Sequence, residues 1–65
     1  MPSISSEELQ EVMNQIQKLL EKIADFKNKE EHLERLRLLK MVDAELIDAL
    51  YNLNQMVGIG GKTMA

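Results

Sequence analysis

Three adjacent residues, Gly61, Lys62 and Thr63, have the types that close a phosphate-binding loop, in which backbone amides and the lysine hold the phosphates of a nucleotide. That loop also requires a glycine five positions before Gly61 and a strand in front of it. The chain has Met56 at that position, and the residues before it show helical periodicity. The sequence therefore predicts no nucleotide site and no cofactor.

The single histidine, His32, lies close to Glu30, Glu31 and Glu34, so a metal site is the second chemistry to consider. In helical bundles that bind metals, a glutamate three residues before the histidine points into the core beside it. Here that residue is Lys29, and the chain has no cysteine to complete a ligand set. A solvated surface histidine is the simpler interpretation, and we expect no metal.

The remaining polar residues form no catalytic set, because the acids are spread over polar helix surfaces and no nucleophile can be paired with a base. A chain of 65 residues buries little surface, and without cysteine it has no disulfide to compensate. Oligomerisation or a permanent partner is then the expected source of extra stability. The sequence predicts a non-enzymatic protein without a small-molecule ligand.

The first predicted element is a helix that starts at Ser5. Ser5 and Glu8 have the spacing of a capping box, in which each side chain accepts a hydrogen bond from the other residue's backbone amide. Apolar residues then recur in steps of three and four, as in a coiled coil, and Met13 and Leu20 widen the stripe. The predicted core and self-association residues of this helix are Leu9, Val12, Ile16, Leu19, Ile23 and Phe26.

A second helix is predicted from the apolar stretch between Leu36 and Val57. Its apolar surface covers roughly two-thirds of the circumference, whereas an ordinary surface helix has an apolar face a little over ~100° wide. The predicted core and self-association residues are Leu39, Val42, Leu46, Leu50 and Leu53. A neighbouring set is predicted to bind a partner, or else to form the core of a homodimer: Leu33, Met41, Ala44, Ile47 and Tyr51.

The apolar pattern lapses between Phe26 and Leu33 and resumes with a different phase, which indicates a turn. We place a lead-in at 1–4, a helical hairpin at 5–57 and a flexible glycine-rich tail at 58–65. Within the hairpin, one helix spans 5–27, the turn lies at about 27–29, and the other helix spans 30–57. Asn28 is expected to end the first helix or cap the second, and Gly58 to end the second in a left-handed conformation. One long continuous helix is the alternative.

Polar residues beside the apolar stripe of the second helix allow two interpretations. Asp43, Arg35 and Lys40 can be boundary residues whose stems pack while their charged ends reach water. Alternatively, Asp43 makes an ion pair between helices or subunits that fixes their register, as polar core residues do in coiled coils.

The predicted fold is all-α, an antiparallel two-helix hairpin that dimerises into a four-helix bundle. Its expected function is protein–protein interaction, as an adaptor, regulator or chaperone-like subunit that binds itself or a helical protein through the second helix. A structural subunit of a larger assembly is a related possibility. No stretch approaches the length of a membrane span and no signal peptide is evident, so we expect a soluble, cytoplasmic protein.

A helical-hairpin dimer that binds RNA or DNA is the alternative function from a different class. Its candidate residues lie around the turn: Lys27, Lys29, Arg37 and Lys40. The formal net charge of −3 argues against it, since phosphate contacts supply most of the affinity for nucleic acids.

Overall fold

A computed structural model describes residues 4–61, which fold into two helices packed against each other as a hairpin. Helix α1 spans Ser6–Lys29 and helix α2 spans Leu33–Gly61, with residues 30–32 as the link. The molecule is elongated, with extents of 50 × 16 × 15 Å. The predicted all-α hairpin is confirmed, and the alternative of one continuous helix is wrong.

The start of α1 is the predicted capping box. The Glu8 amide donates to Ser5 Oγ at 3.1 Å, and the Ser5 amide donates to Glu8 Oε1 at 2.9 Å. Ser5 itself is extended, with φ −74° and ψ 159°, as expected of an N-cap residue. Glu7 and Glu8 also place negative charge in the first turn, where the helix dipole favours it.

The turn lies at 30–32, three residues later than predicted, and Asn28 is inside α1. Glu30 ends the helix in an extended conformation, with φ −75° and ψ 125°, and its amide donates to the Phe26 carbonyl at 2.8 Å. No non-glycine residue in the described range 4–61 has a positive φ, so the left-handed end at Asn28 is wrong. The lapse in the apolar pattern marks a polar last turn of α1, in which Lys29 pairs with Asp25 on the surface at 3.0 Å.

Helix α2 continues through Gly58 to Gly61, so the predicted end at residue 57 and the left-handed cap at Gly58 are wrong. A glycine within a helix costs about 1 kcal/mol relative to alanine, and helical hydrogen bonding can outweigh that cost. The predicted flexible tail is therefore helical over 58–61. Its remainder at 62–65, which includes Lys62 and Thr63, lies outside the described residues, as does the lead-in at 1–3.

The helices meet along an interhelical seam whose most buried residues are Leu9 and Met13, each 7% exposed. The other apolar seam residues are half-buried: Ile16, Leu20 and Ile23 from α1, and Leu36, Leu39, Leu46, Leu50, Leu53 and Val57 from α2. The residues expected only to widen the first stripe, Met13 and Leu20, thus lie at its centre of contact with α2. The apolar surface of α1 is wider than one neighbouring helix covers, and α2 covers one side of it.

Candidate functional site: an apolar face of the hairpin

Six large apolar side chains that α2 and α1 leave exposed lie on one side of the hairpin. They are Val12, Leu19 and Phe26 of α1 and Leu38, Val42 and Met56 of α2, and they are between 37% and 52% exposed. We call this surface the front face. The three α1 residues are seven positions apart and therefore lie on one side of their helix. Leu38, Val42 and Met56 are separated by four and fourteen positions, which places them on one side of α2.

A groove at the turn end shows that the two apolar stripes are on the same side of the molecule. Phe26 from α1 and Leu38 and Leu39 from α2 line it together. Its polar edge is an ion pair in which Arg35 Nε lies 3.2 Å from Glu30 Oε1. At the turn end the front face therefore extends across both helices.

Sequence reasoning predicted four of the front-face residues as core or self-association residues. Val12, Leu19, Phe26 and Val42 were expected to be covered, and within a single chain they are exposed. Their predicted role in self-association depends on a second molecule and stays a prediction. The helical spacing also places Met56 in the apolar stripe of the second helix and Leu38 at its edge, but it assigned neither residue a role.

The predicted partner-binding residues are distributed over other parts of α2. Ile47 and Tyr51 lie together on the opposite side of the hairpin, the back face, where they line a groove with Met13 and Gln17. Ala44 is exposed one turn away, and Leu33 is 80% exposed at the first position of α2. Met41, also exposed, lies on the side of α2 that is turned away from α1, so these five residues form no single patch.

An ion pair lies within the interhelical seam, in the half of the hairpin nearer the turn. Lys27 Nζ lies 3.2 Å from Asp43 Oδ2, and the two side chains are only 28% and 25% exposed. Of the two interpretations of Asp43, the structure thus supports the pair between helices. The pair takes the place of an apolar layer in the seam. Because a shifted register between the helices would leave both charges partly buried and unpaired, the pair disfavours such a register.

Removing one member of this pair is expected to destabilise the hairpin more than removing both. In Lys27→Met, Asp43 stays in the seam without its partner, and we expect the free energy of unfolding to fall by about 1 kcal/mol. In the double variant Lys27→Met, Asp43→Leu, an apolar layer replaces the pair and stability should return at least to that of the parent. Urea denaturation of both single variants and the double variant measures the coupling. Additive single effects would contradict a direct interaction.

The candidate nucleic-acid residues do not form a free basic surface. Lys27 pairs with Asp43 in the seam, Lys29 pairs with Asp25, and Arg37 Nη2 lies 2.6 Å from Glu34 Oε2. Lys40 is exposed and has no ion-pair partner among residues 4–61. Phosphate binding would require these lysines and arginine to exchange carboxylates for phosphates, which lowers the gain from each contact.

Within residues 4–61 no cluster of histidine and carboxylates has the geometry to hold a metal ion, and His32 is exposed. Every buried side-chain nitrogen and oxygen in that range has a hydrogen-bond partner, so no orphaned polar group points to a missing ligand. Neither described helix has an apolar stretch long enough to cross a membrane.

No protein-family model, curated protein or solved structure matches this chain. Its function is therefore inferred from the exposed apolar surface, the ion pairs and the charge distribution of the hairpin itself.

Proposed function

We propose that this protein is a non-enzymatic protein–protein interaction module whose front face is covered by another helical surface. The observation that carries the proposal is the front face, six large apolar side chains from both helices that the chain leaves half exposed. Large exposed apolar patches on small proteins are typical of interaction sites. Covering this face with two further helices gives a four-helix bundle, the arrangement in which both helices would bury their wide apolar stripes.

The hairpin's own core supports the same proposal. Leu9 and Met13 are the only apolar side chains of the described residues that are buried, and both lie near the open end of the hairpin. A single chain with so small a core is marginally stable, because burial must offset the conformational entropy of ordering each residue. Association through the front face supplies the missing burial, and it couples folding of the module to binding.

The proposed mechanism is recognition of a helix by a groove between helices. Side chains at three- and four-residue spacing would insert between Val12, Leu19 and Phe26 on one side and Leu38 and Val42 on the other. The back-face residues Ile47 and Tyr51 remain available at the same time, so a module paired through its front face still presents a tyrosine-containing groove to a further partner.

The test is sedimentation equilibrium combined with circular dichroism over the same range of protein concentration. We expect helicity and thermal midpoint to rise with concentration as the chain associates, because burial of the front face stabilises the folded state. A poorly folded monomer also supports the proposal, since it indicates that the covering protein is absent. A fully helical monomer whose midpoint does not change with concentration would contradict it.

A further inference from the structure

The hairpin separates charge between its two ends. All seven lysines and arginines of residues 4–61 lie between positions 18 and 40, the half of the molecule that contains the turn. The other half, formed by 4–17 and 44–61, has no base and carries five acids: Glu7, Glu8, Glu11, Glu45 and Asp48. One end of the hairpin therefore has a formal charge of −5, whereas the other, at positions 18–43, has six acids beside its seven bases and a formal charge of +1.

Charge changes in the same direction along the outer edge of the front face on α1. Glu8, Gln15, Lys22 and Lys29 recur every seven residues, and all four are exposed. The first three each lie four positions before an apolar residue of the front face, so they border it as the flanking positions of a coiled coil border its core. Along this edge the charge changes from negative near the open end to positive near the turn.

This edge is complementary to itself when it is reversed. In an antiparallel pair of identical helices, a flanking position meets the same kind of position on the other helix, counted from the opposite end. In a pair centred near Leu19, Glu8 lies opposite Lys29 of the second copy, and Gln15 lies opposite Lys22. The apolar stripe is symmetric about the same residue, because Val12 and Phe26 are each seven positions from Leu19.

We infer that the occupant of the front face is a second copy of this chain, turned end for end, so that α1 packs antiparallel to the second α1 with Leu19 near the two-fold axis. This inference rests on the proposed function and names its partner. Turning the copy end for end places each acidic end over the end that holds the bases. Stacking the hairpins with their turns together would instead place two acidic ends about 10 Å apart, where they repel each other at low ionic strength and are largely screened at physiological salt.

Cysteine cross-linking at Leu19 tests this arrangement without interference, because the chain has no cysteine. In a glutathione redox buffer, Leu19→Cys should form the intermolecular disulfide with an equilibrium constant at least about tenfold higher than Lys18→Cys, since only position 19 would bring two Cα atoms within bridging distance. Lys18 is the matched control because it is the neighbouring residue on the polar side of α1.

A second pair of variants tests the charge complementarity. Gln15→Glu should lower the dissociation constant about threefold by pairing with Lys22 of the other copy, and Gln15→Lys should raise it by a similar factor. Within a single helix the two neighbouring charges oppose each other, because Glu11 four residues before position 15 would favour a lysine and Lys18 three residues after it would favour a glutamate. A clear preference for glutamate in the dissociation constant therefore indicates contact between copies, and no difference between the two variants would contradict it.

The outcomes separate this inference from the proposed function. A dimer in which position 19 cross-links preferentially supports the antiparallel arrangement. A dimer that cross-links equally at 18 and 19 overturns the arrangement and leaves association through the front face standing. A poorly folded monomer overturns the second copy as occupant while the interaction module stands, and a stable helical monomer overturns both.

Discussion

Replacing Leu46 with aspartate is expected to unfold the hairpin. Leu46 is a half-buried residue of the interhelical seam, and burying a leucine side chain contributes about 1.5–3 kcal/mol. The variant loses that contribution and places a carboxylate among apolar neighbours. The combined loss is comparable to the ~3–10 kcal/mol expected as the whole stability of a domain of this length. Circular dichroism should show that most of the helical signal disappears at 25 °C, and sedimentation should show no assembly.

Met41→Asp is the matched control for that variant. It introduces the same side chain into the same helix, at an exposed position on the side turned away from α1. We expect a loss below about 1 kcal/mol, mainly from the lower helix propensity of aspartate. Equal loss of helicity in both variants would mean that helix propensity dominates, and it would contradict the burial of Leu46 in the interhelical seam. Retained helicity and assembly in Leu46→Asp would contradict it directly.

The fold was predictable from the sequence where local chemistry decides it. Ser5 and Glu8 satisfy each other's backbone amides, and that exchange depends only on residues three positions apart. The change of phase after Phe26 also predicted two helices correctly. The turn was placed three residues too early because a lapse in apolar residues need not end a helix: the last turn of α1 contacts α2 through a charged residue, Lys27. Gly58 was expected to end α2, but glycine permits a left-handed conformation without requiring it.

The candidate site was less predictable because it depends on which part of a wide apolar stripe faces which neighbour. Periodicity identified Val12, Leu19 and Phe26 as one stripe with Leu9, Ile16 and Ile23, and a rotation of one helix by a fraction of a turn decides which of them meet α2. In the structure Leu9, Ile16 and Ile23 join Met13 and Leu20 in the seam, whereas Val12, Leu19 and Phe26 are exposed. A sequence pattern gives the width of an apolar surface, whereas the division of that surface between partners requires the packed arrangement.

The position of the Lys27–Asp43 pair illustrates a different limit. Asp43 could be recognised as a polar residue beside an apolar stripe, but its partner is 16 positions away on the other helix. Lys27 was assigned to a basic cluster at the turn, together with Lys29, because only Asn28 separates the two lysines in sequence. Their side chains diverge in the helix, so Lys27 enters the seam while Lys29 pairs on the surface with Asp25.

Leu19→Asp is expected to weaken association while changing the isolated hairpin little. Leu19 is 48% exposed in the single chain, so the substitution removes little burial there. In the proposed dimer both copies of the side chain become buried near the two-fold axis, and the variant would place two carboxylates side by side in an apolar contact. Burial of the exposed halves of two leucines corresponds to about 1.5–3 kcal/mol, and desolvation of the two carboxylates adds to that loss. The dissociation constant measured by sedimentation equilibrium should therefore rise at least about tenfold.

Gln17→Asp and Leu19→Met are the controls, the first for added negative charge on α1 and the second for substitution at position 19 itself. Gln17 lies two residues away on the back face, and its replacement adds the same charge to α1 without touching the front face. We expect it to associate within about threefold of the parent, since isolated surface charges alter affinity weakly. Leu19→Met conserves volume and apolarity and should also associate normally. If Leu19→Asp associated as tightly as Gln17→Asp, the front face would not be the surface through which this protein assembles.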